Sequence, residues 1–336
     1  MSNRLKCKVC DANLAGSFAL ASRLLASLAG LHISPKRAQL ITESVGQDLA
    51  AQRDLATQAF LTGSAPSPPP PKPVSLMVLA CDGGRVQTRQ SEPTEKWKED
   101  KVGVVYDATP APEQPGVRYH GPPPQTRSIT ATMGNWDRLG EYLSALADRR
   151  GYAYAKQKVF VSDGASGIRS LRERCFPDAA FILDWAHAAQ HLYACGVAGF
   201  GPGSKAQDWV ERQKQRLWEG RIPALLGQLT RLAKQLGPPP KGAADNDPRR
   251  ILANNVEYFR TNRAGLDYPT FRRNGWPIGS GIIESTIKVV GKRVKGTEKH
   301  WNLHGVEQTL QVVTHLMSDD GSWEAFWRPA SEARRA

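Results

Sequence analysis

Cysteine is scarce in this sequence, and long apolar runs are missing. The five cysteines among 336 residues are odd in number and lack regular spacing, so they argue against a disulfide framework and for a reducing compartment. No apolar run approaches the roughly 18 residues of a membrane-spanning helix. The first residues, MSNRLKCKVC, lack the apolar stretch of a secretory signal. We therefore expect a cytoplasmic protein without a membrane partner.

Acidic residues are also in short supply relative to basic ones. Lys and Arg number 45 against 32 Asp and Glu, which gives a net charge of +13. This excess fits a polyanionic partner, because binding to phosphates releases their counterions. The alternative is an ordinary solvated basic surface. The length allows two domains, or one domain with a large insertion.

Residues 1–62 are predicted to be helical. SFALASRLLASLAGL and the segment that begins at Ser34 both have apolar residues at three-to-four spacing, and Ser34 followed by Pro35 is typical of a helix start. Joined by GLHIS, these helices predict either half of a helix-turn-helix DNA reader or a packing hairpin. Residues 63–73, GSAPSPPPPKP, are typical of a semi-rigid linker and mark the clearest domain boundary.

Residues 74–197 alternate between strand and helix patterns. VSLMVLACDG predicts a buried strand, and GRVQTRQ alternates after a Gly-Gly turn, so the two predict a hairpin. Further strands, KVGVVYDAT, KVFVS and AAFIL, follow with three helices among them. Strand-helix-strand crossovers predict an α/β fold, in which a parallel portion of the sheet is covered by helices.

Residues 198–273 are predicted to be mostly helical, with GPPPKGAADNDP as a break in the middle. We interpret this block as an insertion into the α/β domain rather than a separate folding unit. Residues 274–330 then return to the same domain and complete it.

Three aspartates, Asp82, Asp163 and Asp184, each follow a predicted strand. Ligands of open parallel sheets bind beyond the carboxyl ends of the strands, and Mg²⁺ prefers the oxygen ligands that carboxylates offer. A single Asp after a strand is more often a turn or cap residue, and Asp163 would also suit the N-cap of the next helix. Three of them in one chain weaken the turn interpretation.

Glu284 lies in GWPIGSGIIESTIKVVGKRVKG, where Ser280 is the predicted N-cap and Glu284 falls on the first helical turn. Lys288, Lys292 and Lys295 follow on the same face at intervals of about one turn. One carboxylate for a metal and a row of cations for phosphates suits an enzyme that acts on nucleic-acid backbone. The alternative is an amphipathic helix with Glu–Lys pairing.

These motifs together resemble a known family. VLACDGGRV, VFVSDGASGI, FPDAAFILDWAHAAQHL, PIGSGIIES and RVKGTEKHW are similar to segments of DDE transposases of bacterial insertion sequences, in particular the ISKra4 group. The similarity to Mutator-like and ISL3-like transposases is more distant. The resemblance covers roughly residues 75–330 and rests on the order and spacing of the motifs. It implies an RNase H-like core, which is a mixed sheet with helices on both faces, and a helical insertion before the last acid.

The resemblance assigns Asp82, Asp163 and Glu284 as the three catalytic acids and as the ligands of Mg²⁺, for which Mn²⁺ would substitute. Asp184 and His187 match a family signature and would support the site. Two metal ions would clamp the attacking and leaving oxygens of the reaction. The expected function is cleavage and strand transfer of DNA at insertion-sequence ends.

The resemblance also implies double-stranded DNA as the partner, both element ends and target, bound by a homo-oligomer near the bacterial nucleoid. The expected DNA-binding residues are Lys288, Lys292, Arg293, Lys295 and Trp301. Trp301 would stack on a splayed base, or it would pack beneath the preceding helix.

The N-terminus departs from the family pattern. Relatives carry a longer region that often contains the cysteine pairs of a zinc ribbon, whereas here Cys7 and Cys10 are the one pair with such spacing. A four-ligand zinc site needs a second pair, so we expect no structural zinc. One alternative function is a truncated, non-mobile DNA-binding remnant. The other is an RNase H-fold nuclease that only hydrolyses DNA.

Overall fold

The computed structural model describes residues 1–64, 69, 72–89, 96–296 and 298–328, so most of the predicted linker at 63–73 lies outside the described residues. Helices and strands alternate along this part of the chain. They are α1 (Asn3–Asn13), α2 (Phe18–Ala29), α3 (Pro35–Thr62), β1 (Leu76–Gln87), β2 (Trp97–Ala108), β3 (Thr126–Thr132), α4 (Trp136–Arg149), β4 (Lys158–Ser162), α5 (Ser166–Cys175), β5 (Ala180–Leu183), α6 (Trp185–Phe200), α7 (Ser204–Trp218), α8 (Ile222–Leu236), α9 (Pro248–Thr261), α10 (Tyr268–Arg273), α11 (Gly281–Val294), α12 (Leu303–Met317) and α13 (Ser322–Trp327).

The five strands form one mixed sheet in the order β3-β2-β1-β4-β5. The pairs β1–β2 and β2–β3 are antiparallel, and the pairs β1–β4 and β4–β5 are parallel. Helices α4 and α5 cover one face of the sheet. Helices α6 to α12 contribute to the core on the other face. The predicted α/β class, with a mixed sheet and helices on both faces, is confirmed.

Strand β1 is buried on both faces, because its side chains alternate between two cores. Leu76, Val78 and Ala80 belong to the core shared with α11 and α12. Met77 and Leu79 belong to the core shared with α4 and α5. The period of two in a strand therefore explains why an uninterrupted apolar run forms it.

The hairpin predicted at the Gly-Gly pair is wrong. Strand β1 runs through Gly83 and Gly84 without turning, and it stays paired with β2 as far as Gln87. A Cβ atom on Gly83 would lie 2.4 Å from Glu99 Oε1, and one on Gly84 would lie 2.4 Å from Asp100 Oδ1. Both glycines thus permit a close approach of side chains from β2, which is a common use of glycine inside a strand.

The N-terminal region is helical, as predicted, but it contains three helices, of which the sequence patterns located two. Ser34 caps α3 as predicted, because its side chain accepts the N–H of Arg37 at 3.2 Å, and Pro35 is the first helical residue. Helix α3 lies against α12 so closely that a Cβ atom on Gly46 would meet the backbone of Gln308. The additional helix is α1, whose mostly polar residues show no separate apolar pattern.

The block at 198–273 is helical, as predicted, and the break GPPPKGAADNDP separates α8 from α9. Side chains of α7, α8 and α9, such as Val210, Leu229 and Phe259, share one core with the sheet strands and with α11. The α7–α10 segment is therefore packed into the α/β domain. In the part of the chain that the structure describes, no helix combines the length and apolarity needed to cross a bilayer.

Candidate active site

Asp82, Asp163 and Asp184 stand side by side at one edge of the sheet. The parallel registers of β1 with β4 and of β4 with β5, continued past their last pairs, place the three aspartates in one row. Neighbouring strands are about 4.8 Å apart, and residues in register point to the same face. Asp163 and Asp184 directly follow their strands, as predicted. Asp82 instead lies inside β1, because pairing with β2 extends that strand.

Glu284 reaches this row from α11. Its backbone N–H donates to Ser280 O at 3.0 Å, and the Ser280 hydroxyl donates to Glu284 Oε1 at 3.2 Å. Ser280 occupies the N-cap position, as predicted, but its side chain accepts no backbone N–H of α11. The serine therefore orients the glutamate instead of capping the helix.

Asp82 lies close enough to the other acids for their charges to affect its pKa. Burial raises the pKa of the Asp82 carboxyl, and the charges of Asp163 and Glu284 raise it further. The N–H of Gly83, which donates to Asp82 Oδ1 at 2.7 Å, and His187 act in the opposite direction but do not outweigh them. A bound cation would relieve this repulsion.

Asp163 forms a short turn rather than a helix cap. Its Oδ1 accepts the N–H of Ala165 at 2.9 Å, and α5 begins only at Ser166. The N-cap position of α5 is Ala165, which has no capping side chain. The alternative role of Asp163 as the cap of the following helix is therefore wrong, and its carboxylate lies at the sheet edge.

Asp184 is fully buried and joins two elements. It caps α6 by accepting the His187 N–H at 2.7 Å, it accepts from His187 Nδ1 at 3.1 Å, and it also accepts the N–H of Ser280. Burial raises the pKa of this carboxyl, but the hydrogen bonds from His187 and Ser280 outweigh burial and hold the pKa below its usual value. Asp184 thus fixes the start of α6 against the loop before α11.

His187 is oriented by Asp184 and faces the acids. The hydrogen bond to Asp184 is the main reason that the pKa of His187 lies above its usual value; burial opposes it, and the charges of Asp163 and Glu284 add to it. One possible ligand atom each of Asp184, His187 and Glu284 lie within 4.8 Å of one another. Because the carboxylate of Asp184 already accepts three hydrogen bonds, we assign it the role of orienting His187, a common arrangement around metals.

The basic residues of α11 do not share one exposed face. The side chain of Lys288 is 75% exposed and its Nζ lies 3.9 Å from Glu284 Oε2. Lys292 is also exposed. Lys295 follows the end of α11 and turns back towards β1, so that its Nζ would lie 2.8 Å from a Cβ atom on Gly84. The predicted row is therefore right for two lysines and wrong for Lys295, because the helix ends before it.

Arg293 and Trp301 are buried beneath the N-terminal helices. Arg293 is 1% exposed, its guanidinium lies 4.3 Å from the ring centre of Phe18, and burial lowers its pKa to about 10. Trp301 donates from Nε1 to Val294 O at 2.8 Å and packs edge-on against Phe18. The DNA-binding prediction for Arg293 is wrong in this conformation, because residue 293 falls on the inner face of α11. Trp301 adopts the packing alternative.

Tyr258, Asn262 and Tyr268 were not predicted from the sequence. They contact the backbone at or next to two of the aspartates, namely Asp163, Gly164 and Leu183. They lie in the helical block at 198–273, more than 70 residues from the strands that they contact. Isolated tyrosines in a helical pattern carry no signal that distinguishes them from ordinary core residues.

Comparison of the chain with protein-family models finds no match, and comparison with curated proteins finds none. Function is therefore inferred from the arrangement of the residues in the site, since a fold class by itself does not imply a function.

Proposed function

We propose that this protein is a DDE transposase, which cleaves DNA at insertion-sequence ends and transfers the strands through metal-dependent phosphoryl transfer. The observation that carries the proposal is the placement of Asp82 beside Asp163 at the edge of the sheet, with Glu284 reaching the same edge from α11. Three antiparallel strands, two further parallel strands and a helical block before the last acid support an RNase H-like core.

The donor set fits Mg²⁺. Carboxylate oxygens are its preferred protein ligands, and the raised pKa of Asp82, caused by burial and then by Asp163 and Glu284, marks a site that gains from added positive charge. Asp82, Asp163 and Glu284 would hold the metal, whereas among the described residues the possible ligand atoms that lie within 4.8 Å of one another are those of Asp184, His187 and Glu284. His187 is oriented beside the acids by Asp184. Divalent ions, when bound in pairs, activate the attacking oxygen and stabilise the leaving oxygen of a phosphoryl transfer.

The side chains of the protein would act by positioning the reacting groups. Asp184 holds His187 through Nδ1, so the other ring nitrogen is left available to the site. Ser280 holds one oxygen of Glu284. The exposed Lys288, one turn beyond Glu284, would contact the phosphates of double-stranded DNA that flank the reacting one. Such positioning supplies most of the catalysis in phosphoryl transfer.

Nicking of supercoiled plasmid at low salt tests the proposal. Wild type, Asp163→Asn and Asp208→Asn are compared in Mg²⁺, in Mn²⁺ and in EDTA; Asp208 is an exposed acid of α7 and serves as the matched control. We expect cutting that needs a metal, unchanged in the control and reduced about 1000-fold in Asp163→Asn, which corresponds to several kcal/mol of transition-state stabilisation.

Cutting retained by both Asp163→Asn and Glu284→Gln would contradict the proposal. A second assay with labelled element ends and a target plasmid separates a transposase from a purely hydrolytic nuclease, because only the transposase joins strands. Metal-independent DNA binding without cutting of either substrate would instead support the DNA-binding remnant.

A further inference from the structure

Two tyrosine hydroxyls from the helical block at 198–273 donate to backbone carbonyls at the strand ends that carry the acids. Tyr258, on α9, donates to the carbonyl of Asp163 at 2.7 Å. Tyr268, at the start of α10, donates to the carbonyl of Leu183 at 2.8 Å, one residue before Asp184. Two helices of the block therefore reach two neighbouring positions of the aspartate row.

Tyr258 is held in place by its neighbours. Its ring stacks on His191 of α6, with ring centres 3.8 Å apart and planes at 21°. His191 Nδ1 in turn lies 2.6 Å from Asn255 Oδ1 on α9. Because α6 also carries His187, one turn before His191, the stack connects the helix that presents His187 to the helix that contacts Asp163.

The loop after Asp163 is shaped to accept the same block. Gly164 has φ of +80°, a conformation that favours glycine, and a Cβ atom there would lie 2.7 Å from Asn262 Nδ2. Asn262 is buried, and its Nδ2 donates to Tyr258 O at 3.0 Å. The asparagine therefore lies directly against the backbone that turns out of β4.

The end of β5 is held in a similar way. Tyr268 is buried and packs edge-on against Trp185, the first residue of α6, with ring centres 5.0 Å apart. A Cβ atom on Gly265 would lie 2.7 Å from Leu183 N, so this turn also approaches the strand closely. In the described sheet β5 is an edge strand, and the Tyr268 hydroxyl occupies a carbonyl that no further strand reaches.

We propose that Tyr258 and Tyr268 are positioning residues, through which the helical block sets the spacing of Asp163 and Asp184 and thereby the affinity of the site for divalent cations. This inference rests on the proposed function. A single hydroxyl–carbonyl bond contributes only about 1 kcal/mol to folding. A ligand constellation, however, tolerates displacements of only about 0.5 Å, and loss of an outer-shell partner commonly costs about 10–100-fold in metal affinity.

Mn²⁺ binding to the full-length, DNA-free protein tests this inference by isothermal titration calorimetry. The variants are Tyr258→Phe and Tyr268→Phe, which remove only the hydroxyl, with Tyr193→Phe as the control, since Tyr193 is 53% exposed on α6. We expect the Kd for Mn²⁺ to rise about 10-fold in each of the two buried variants and to stay unchanged in the control. Nicking by the two variants should recover at high Mn²⁺ concentration.

The outcomes separate this inference from the proposed function. If wild type and Asp163→Asn bind Mn²⁺ equally, the acids do not form the metal site and the proposed function fails. If wild type binds and Asp163→Asn does not, but Tyr258→Phe and Tyr268→Phe bind as tightly as wild type, the positioning role alone is overturned. Circular dichroism identifies a variant that does not fold. If one tyrosine variant fails to fold, the Mn²⁺ affinity of the other tests the positioning role.

Discussion

Two clusters of charged side chains in this molecule differ in the signs of their charges: one gathers acids, and the other pairs an acid with a base. At the sheet edge, Asp82, Asp163 and Glu284 gather like charges, and their repulsion raises the pKa of Asp82 after burial has already raised it. Where α3 meets the sheet, Arg53 and Glu307 pair opposite charges at 2.9 Å. The first arrangement costs stability, and the cation proposed above would offset that cost. The second is complete without one.

Arg53 and Glu307, which form the paired cluster, each have several further partners within the protein. Arg53 donates to Glu307, to the carbonyl of Ala131 at 3.1 Å and to the Tyr142 hydroxyl at 2.9 Å, and its guanidinium lies 3.7 Å from the centre of the Tyr142 ring. Glu307 also accepts the N–H of Met133 at 2.6 Å. In this basic protein, a group of neighbouring acids that repel one another points to function more directly than a tightly paired cluster does.

The largest expected effect on stability comes from breaking the paired cluster. Arg53→Met should lower the free energy of unfolding by about 3–5 kcal/mol, because it leaves Glu307 mostly buried without its cation. Urea denaturation measures the loss, and Arg37→Met, an exposed change on the same helix, serves as the control. A loss no larger than that of the control would show that the pair is an ordinary surface contact.

Asp82→Asn should have the opposite effect on the metal-free protein. A carboxyl whose folded pKa is raised disfavours folding at neutral pH, so its removal should leave the free energy of unfolding unchanged or increased. Mg²⁺ at 100 times its Kd should stabilise wild type by about 2.7 kcal/mol and leave the variant unaffected. Thermal unfolding with and without Mg²⁺ measures both. Equal stabilisation of the two proteins would place the metal elsewhere.

A smaller effect is expected at Asp184, which joins His187 to the group of acids. In metal-free protein, Asp184→Asn should lower the pKa of His187, because the hydrogen bond that His187 donates to Asp184 is the main cause of its elevation. The raised pKa of His187 determines how the stability of the fold changes with pH. The Asp184–His187 contact stabilises the fold fully below the unfolded pKa of about 6.5, and this contribution is lost as pH rises through the folded pKa.

Histidine ring signals followed by NMR across this pH range measure the change in the pKa of His187, with Asp208→Asn as the control. An unchanged pKa in Asp184→Asn would mean that the charges of Asp163 and Glu284, and not the hydrogen bond, set the protonation of His187. Asp184 would then be a structural cap of α6 alone.

The sequence predicted those parts of the fold and the site that depend on local pattern. Apolar runs identified β1, β4 and β5, and the parallel strands that they form brought Asp82, Asp163 and Asp184 to one edge, as expected from strand topology. The hairpin predicted at the Gly-Gly pair was wrong, because glycine permits the close approach of side chains from a neighbouring strand as readily as it permits a turn. Only the register with β2, in which Gly84 pairs with Asp100, distinguishes the two.

What the sequence could not predict is which face of α11 the rest of the chain covers. Lys288 and Arg293 belong to one helix and carry the same charge, yet the first is exposed and the second is buried against Phe18. A helical pattern gives the relative direction of side chains but not the position of a neighbouring helix. The tyrosines that reach Asp163 and Leu183 escaped prediction for the same reason, since their role depends on contacts across the whole fold.

The smallest expected effect concerns DNA binding, in which Lys288 and Arg293 should differ. Lys288→Gln should reduce the slope of log K against log salt concentration by about 1, because one phosphate contact is lost. Arg293→Gln should leave that slope unchanged and instead destabilise the fold, since its side chain is 1% exposed. Fluorescence anisotropy with a labelled duplex between 50 and 200 mM salt measures the slopes. If Lys288→Gln leaves the slope unchanged and Arg293→Gln reduces it, α11 does not meet DNA through its exposed face, and α1 and α2 must move away before DNA binds.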